Sequence, residues 1–299
     1  MSKPLLSIII PTHNRPHLIG HAVKSALDQT MDDLEVIVVD DASIQPIDLP
    51  NHPRLRTIRL SKPHGGAGTR NVGLEAALGR WVTFLDDDDR LLSHMAAISL
   101  EALSQTTLPA PVAVISGLEK VNCQGQVITT LLPPPERPRG AHFSLEKLEP
   151  GKSYTTKQTL VVETEVLHKI GGWDNSFRSR VHSELFFRLN LACSILGLPI
   201  VTYQLCSHEG ERVSRNPILR QESFLRLVRK HESLFKAHPK SFAQFVYNHA
   251  FMSYGAGQKR AAFLHLCWAM QIDPFHTFPR IASRFYQSGF KKLSNACKI

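Results

Sequence analysis

The sequence predicts an α/β fold: a mostly parallel central sheet flanked by helices, with a helical C-terminal extension. Three observations carry this. Apolar, β-branched runs of strand length alternate with stretches of helical period over the first half of the chain, the pattern of a sheet covered on both faces. Polar and acidic clusters follow the strand-like runs directly, which is where open parallel sheets bind ligands. From about residue 215 onward the pattern becomes wholly helical.

The run at 5–10 has the composition of a strand buried on both faces. Pro16 then sits where a helix can begin, because its missing N–H needs no partner in the first turn. Ile19, Val23 and Ala26, with Leu18 and Ala22 alongside, give a helical stripe to about Gln29. A second buried strand at 35–39 ends on Asp40 and Asp41, and 55–60 reads as a third, more polar strand. Residues 65–78 begin glycine-rich and turn helical, and 81–85 is a fourth strand that runs into four aspartates. A helix at 93–104 and strands at 112–118 and 126–132 follow. The proline- and charge-rich segment 133–151 reads as a mobile loop. Helices are expected at 163–170, ended by Gly171 and Gly172, and at 184–196. Segment 261–272, stopped by Asp273 and Pro274, has the character of one helix of a repeat hairpin, but the sequence holds no second copy.

At 299 residues, 42% apolar and 20% charged, the chain has the size and composition of a soluble globular protein with an ample core. No stretch of 18 apolar residues occurs, and the short run after Met1 is unlike a signal peptide, so a cytoplasmic location is expected. Five scattered cysteines without a CxxC pair suit reduced thiols, most of them as small core residues. The net charge of +9 is uneven: residues 211–299 hold 15 Lys/Arg against 4 Asp/Glu, whereas 1–210 hold 20 against 22. Body and basic tail are therefore read separately.

Three clusters carry chemistry. Four consecutive carboxylates, Asp86 to Asp89, repel one another by roughly 1 kcal/mol per pair in water and several times that near a protein surface. A divalent cation removes the repulsion, and carboxylate oxygens suit Mg²⁺ or Mn²⁺ when diphosphate oxygens complete the shell. The plain alternative is a solvated acidic turn; the position at a strand's C-terminal end favours the metal. Asp41 can accept a hydrogen bond from the N3–H of a uracil ring, or it can simply make a turn with Ser43. The segment 65–71, Gly-Gly-Ala-Gly-Thr-Arg-Asn, matches neither the P-loop nor G-x-G-x-x-G. It lets backbone pass close to a nucleotide, with Arg70 and Asn71 adding polar contacts, or it holds structural glycines.

In this order the clusters resemble a known family. Ser-Ile-Ile-Ile-Pro-Thr-His-Asn-Arg-Pro (7–16), Val-Ile-Val-Val-Asp-Asp-Ala-Ser (36–43), Gly-Gly-Ala-Gly-Thr-Arg-Asn-Val-Gly (65–73) and Phe-Leu-Asp-Asp-Asp-Asp (84–89) closely resemble the family 2 glycosyltransferases. Ile170-Gly171-Gly172-Trp173-Asp174 resembles a glycine-glycine-aromatic-Asp element those proteins carry further on. The likeness covers about residues 5–205. It implies the A-type glycosyltransferase fold with a Rossmann-like nucleotide-binding half, and an inverting transfer from a nucleotide-diphospho-sugar, UDP-linked by expectation. It divides the chain into a catalytic domain at 1–210, with a donor half at about 1–118 and an acceptor half at about 119–210, and a basic helical extension at 211–299. Pro11, Thr12 and Asn14 match the loop along the nucleoside, with Arg15 beside them, and Asp41 matches the base-contacting aspartate. Asp86 matches the first residue of the Asp-x-Asp motif, near ribose or metal; Asp88 matches the metal ligand. Asp87, Arg70 and Asn71 join the nucleotide-sugar set.

One departure bears on mechanism. Family members carry Glu-Asp before a helix, the Asp serving as general base, and alignment on 171–177 and 185–189 puts Val181-His182 there. The candidates for the base are then His182, whose ordinary pKa of about 6.5 leaves it largely neutral at pH 7, and Glu184 two residues on. The departure also keeps open a non-catalytic nucleotide-sugar-binding or scaffold protein on the same fold. The acceptor implied is a glycan or lipid-linked glycan, as in bacterial-type cell-surface polysaccharide or glycolipid synthesis. In the tail, Phe275, Phe278, Phe285, Tyr286 and Phe290 interleave with Arg280, Arg284, Lys291 and Lys292. That suits peripheral contact with an anionic membrane at its inner face, or a helical extension whose aromatics pack on the catalytic domain. No nucleic-acid module is recognisable.

Overall fold

A computed structural model describes residues 3–141, 145–207 and 216–284, so that Phe285, Tyr286, Phe290, Lys291 and Lys292 of the basic tail lie outside the described residues. The chain divides into two compact units, Met1–Arg212 and Val213–Ile299.

The first unit is built on one sheet. Strands β1 (Leu6–Thr12), β2 (Leu34–Asp40), β3 (Leu55–Arg59) and β4 (Trp81–Phe84) are joined through helices α1 (Pro16–Leu27), between β1 and β2, and α2 (Gly65–Ala76), between β3 and β4. All four strands run parallel, in the order β3-β2-β1-β4. A short strand β5 (Arg90–Leu91), helix α3 (Met95–Gln105), and strands β6 (Val112–Val121), β7 (Val127–Leu131) and β8 (Glu136–Arg137) follow. A 3₁₀ turn at Tyr154–Thr159 then leads to β9 (Val161–Glu163), α4 (Thr164–Lys169), α5 (Val181–Ala192) and β10 (Ser194–Cys206). The sheet continues from β4 through β9, β6 and β10 to β5, with β9 antiparallel to both neighbours and β10 parallel to β6.

Alternation along β1 explains the two-sided core. Ile8 and Ile10 face a cluster with Ile19, Val23 and Ala26 of α1 and Met95 of α3. Ile9 faces the other way, with Leu74 of α2, Leu167 of α4 and Leu185 and Leu189 of α5. Successive strand side chains point to opposite faces, so a run of isoleucines is what a sheet covered on both sides needs. Ser7, the one polar residue in the run, is buried with its hydroxyl donating to Glu35 Oε1 at 2.7 Å and accepting from Gly79 N at 2.9 Å.

Three expectations are corrected here. The helix foreseen at 184–196 ends at Ala192, and Ser194–Cys206 is a strand that pairs with β6 from Ser194↔Val112 onward. Apolar residues at 193–196 continue the helical stripe, but Gly197 and Pro199 and the pairing along β6 prevail over that local pattern. Segment 133–151 is more than a loop: β8 pairs with β10, and buried Arg137 reaches Glu149 at 3.0 Å and Glu146 at 3.4 Å. Of the four described cysteines, all free, only Cys193 is fully buried; Cys123 and Cys267 are exposed.

The second unit is helical: α6 (Pro217–Lys230), α7 (Glu232–Ala237), α8 (Pro239–Gly255), α9 (Lys259–Ile272) and a helix over 274–284. Asn216 caps α6, its side-chain oxygen accepting from the amides of Ile218 and Leu219 at 3.1 Å, with Pro217 in the first turn. The interior is aromatic: Phe224 stacks on Phe245 at 5.4 Å, Phe235 lies 4.8 Å from Phe242, and Phe242 meets Trp268 edge-on at 5.5 Å. Among the described residues no helix is long and apolar enough to cross a membrane.

Candidate active site

The C-terminal ends of β1, β2 and β4 come together, as parallel pairing in register requires. The loop after β1 is tied to both neighbours. Thr12 donates its hydroxyl to Asp87 Oδ2 at 2.7 Å. The Asn14 amide donates to Ser43 Oγ at 2.8 Å, and the Asn14 side-chain oxygen accepts from Ile44 N at 2.8 Å. Arg15 reaches Asp87 at 2.8 Å and Asp88 at 3.4 Å. Pro11 lies within β1, opposite Val39, partly exposed. Asn14, Ala42 and Arg180 have φ of 54°, 56° and 60°, the only described non-glycine residues in the left-handed region. Each costs about 1 kcal/mol or more, and all three sit in the loops around this site, where strain accompanies function.

The acidic run divides its work. Asp86, Asp88 and Asp89 offer oxygens that lie within 4.8 Å of one another, a hard donor set of the kind divalent cations take. Asp87 turns away, to Thr12 and Arg15. Asp89 is buried, accepting from the Tyr203 hydroxyl at 2.7 Å and the Cys206 amide at 2.9 Å. Burial, then the nearby Asp86 and Asp88 charges, push its carboxyl well above the usual range. Burial raises Asp87 as well, against the pull of Arg15. Burial acts on Asp86 in the same sense, but the Arg70 guanidinium bonded to it and the nearby His182 outweigh that and hold it low. Two arginines thus offset part of the repulsion expected of four adjacent carboxylates, and the three clustered carboxyls fit a cation in both chemistry and spacing. The sequence pattern points to the whole run Asp86 to Asp89, singles out Asp86 and Asp88 as ligands, and gives Asp89 no role of its own. Its place depends on Tyr203 and Cys206, on a strand whose first residues read as helix and whose remainder the sequence pattern leaves unassigned.

Asp41 is buried and accepts from the amides of His64 at 2.7 Å and Gly65 at 2.8 Å, so its carboxylate closes the start of α2. Arg70, one turn into that helix, also donates to Gly66 O at 2.7 Å. Asn71 faces away from the acidic run: its amide nitrogen donates to Trp173 O at 2.8 Å and its oxygen accepts from Trp173 N at 2.8 Å. This clamp fixes the turn in which Gly171 and Gly172 adopt φ of 78° and 62°, backbone that favours glycine.

Trp173 links these elements. The Arg70 guanidinium lies over its ring at 5.2 Å, and the His182 imidazole meets it edge-on at 5.0 Å. His182 occupies the first turn of α5, with Nδ1 buried and without a hydrogen-bond partner among the described residues. Burial, then the Arg70 and Lys157 charges, lower its pKa to about 4 despite Asp86 nearby, so the imidazole is neutral at pH 7. Lys157, which the sequence pattern did not single out, lies 5.8 Å from the Phe186 ring, one helical turn beyond His182, and burial lowers its amine to about 7. Glu184 is arranged differently. Both its oxygens accept from Arg188, at 2.8 and 2.6 Å, and Arg188 also holds the carbonyls of Ile170 and Gly172. A neutral imidazole near Asp86, in a cluster of carboxyls with the spacing to hold a cation at the ends of parallel strands, can accept a proton from a bound hydroxyl.

Known proteins share this architecture. Residues 7–117 match the family model described as glycosyl transferase family 2. A Haemophilus influenzae protein described as an uncharacterized glycosyltransferase is 27% identical over 187 residues, 62% of this chain and 62% of its own length. The Campylobacter jejuni GalNAc(5)-diNAcBac-PP-undecaprenol beta-1,3-glucosyltransferase is 41% identical over 97 residues, 30% of this chain and 31% of that protein. The match thus spans less than two thirds of either relative. Among solved structures, S. aureus TarS 1–349 in complex with UDP-GlcNAc matches with a TM-score of 0.64 at 17% identity, over 89% of this chain and 81% of that one, a likeness of fold.

Proposed function

We propose, from the premise that residues 7–117 carry a family 2 glycosyltransferase domain of the A-type fold, that the protein transfers a sugar from a nucleotide-diphospho-sugar to an acceptor hydroxyl with inversion. The observation that carries this reading is the cluster of Asp86, Asp88 and Asp89 oxygens within 4.8 Å, at the ends of the parallel strands. Asp88 and Asp86, with Asp89 in the same cluster, would hold Mn²⁺ or Mg²⁺, which would supply positive charge against the departing diphosphate. Pro11, Thr12, Asn14 and Arg15 form the nucleoside side of the donor site, with Asp41, Arg70, Asn71 and Asp87 shaping it. A UDP-linked donor follows from Asp41, whose remaining lone pairs suit a uracil N3–H.

His182 takes the acceptor proton. It is neutral at pH 7 and close to Asp86, whereas Glu184 has both oxygens engaged by Arg188 and serves to hold the turn at 171–173. An imidazole near pKa 4 is a weak base; an anionic donor beside it raises that value toward the working range. The C. jejuni relative is named for an undecaprenyl-diphosphate-linked substrate, and by analogy a lipid-linked glycan is the acceptor class here, in cell-surface polysaccharide or glycolipid synthesis. The basic tail then belongs near the membrane's inner face.

Isothermal titration tests the donor half: UDP binds with Mn²⁺ present and loses most of its affinity in EDTA or in Asp88→Asn. If UDP fails to bind the wild-type chain with metal, the reading is wrong. A thermal-shift screen of UDP-, GDP- and dTDP-sugars then fixes the nucleotide. The replacement of Asp by His182 favours a second reading, a nucleotide-sugar-binding scaffold, which requires donor binding with no donor hydrolysis or transfer by wild type.

A further inference from the structure

Two sets of large apolar side chains stand apart in the helical unit. Phe224, Phe235 and Phe242 are buried, and with Phe245 and Trp268 they form its interior. The second set faces outward: Phe263 is 65% exposed, Leu264 57%, Phe275 91% and Phe278 63%. A unit whose core is already filled has no internal use for these side chains.

Their placement is regular. On α9 the exposed residues are Lys259, Arg260, Phe263, Leu264, Cys267 and Gln271, spaced by three and four along one helix face. In the helix over 274–284, Phe275 and Phe278 again stand three apart, with Arg280 and Arg284 exposed in the following turns. Charge accompanies them. Residues 233–299 contain nine Lys/Arg and a single carboxylate, Asp273. Asp273 accepts from the His276 amide at 2.9 Å and so closes the start of the last helix. Exposed aromatic and leucine side chains flanked by Lys and Arg, with almost no acid, are the composition of a surface that lies in a bilayer interface. Each basic group near an anionic leaflet adds attraction, and each buried ring adds apolar area.

We propose that the face formed by Lys259, Arg260, Phe263 and Leu264 of α9, with Phe275 and Phe278 of the next helix, docks on an anionic lipid bilayer. This deepens the lipid-linked reading of the acceptor and rests on it for its purpose. Its test reads vesicle binding alone, so failure of sugar transfer and failure of docking are separate results.

The test is co-sedimentation of the full chain with vesicles of phosphatidylcholine, or of phosphatidylcholine with about one third phosphatidylglycerol. Wild type is expected on the anionic vesicles, with at least tenfold weaker binding to neutral ones and progressive release as salt rises. Phe263→Asp with Phe275→Asp lowers binding roughly tenfold or more at any salt. Lys259→Glu with Arg260→Glu lowers it by a similar factor at low salt and flattens the salt dependence. Unchanged circular dichroism shows that the variants remain folded. Binding that ignores lipid charge, absence of binding, or folded variants that bind like wild type would each overturn the proposal. So would a wild-type dimer that the Phe variant splits, without vesicle binding, or capture of RNA in preference to vesicles.

Discussion

His182 and Glu184 lie on the same turn of α5 and differ in every respect that matters to a base. Replacing His182 by Gln keeps the shape and removes the proton acceptor, so kcat is expected to fall by about 10²–10⁴ with KM for the donor little changed. Glu184→Ala leaves the half-buried Arg188 without its carboxylate and is expected to cost about 1–3 kcal/mol, read as a lower denaturant midpoint. A protein that tolerates Glu184→Ala in stability and loses only turnover would reverse these roles. Acid titration gives a further handle. The pKa of His182 falls from 6.5 in the unfolded chain to about 4 in the folded one. Between those values the unfolded chain binds more protons, and stability drops as pH falls through 6.5 toward 4. Asp87 and Asp89, with raised carboxyl values, act in the opposite sense from about pH 4 upward. The difference between wild type and His182→Gln isolates the imidazole: the variant should show a shallower loss over that window, measured by urea unfolding at each pH. Local pattern was enough to place Asp41, Asp86 and Asp88 at the ends of strands, because each closely follows a strand-like run. The surroundings of Asp89 and of Lys157 were not legible, since they come from chain 114 and 25 residues away, at Tyr203 and His182.

β1 to β4 and α1 and α2 could be read almost to the residue, because buried parallel strands and the helices between them carry their period in their own sequence. β9 and β10 could not. Val161–Glu163 is too short to show a period, and the apolar stripe of α5 runs on past Ala192 into the first residues of β10. What makes Ser194–Cys206 a strand is β6 beside it, information that no local window contains. Close approach between elements is equally invisible. A Cβ on Gly79 would stand 2.6 Å from the Ser7 amide nitrogen, against backbone that a rotamer change cannot move. Gly79→Ala is therefore expected to cost about 1–3 kcal/mol and to lower Tm by several degrees, whereas Gly125→Ala, with nothing near its Cβ, pays only for its φ of 78°. Tyr203→Phe removes one donor from Asp89 and should weaken manganese-dependent UDP binding without unfolding the sheet.

The two compact units, Met1–Arg212 and Val213–Ile299, differ in charge as the sequence divides them, with 20 basic and 22 acidic residues in 1–210 against 15 and 4 beyond. High salt should accordingly weaken any association made through the helical unit while leaving UDP affinity nearly unchanged, a contrast that one titration series at two ionic strengths would show. The strand order has another consequence. Ribosomes deliver the chain from its N-terminus, and β1 to β4 can assemble early. The neighbour that β4 needs is Val161–Glu163, and β6 takes its parallel partner from Ser194–Cys206. Until about residue 163 has left the exit tunnel β4 presents an open, apolar edge, and until about residue 206 so does β6, edges of the sort that recruit other chains. The segment 7–117 is thus recognisable in sequence well before it is complete as an object, and nascent chains halted short of 206 should depend on chaperones that longer ones can do without.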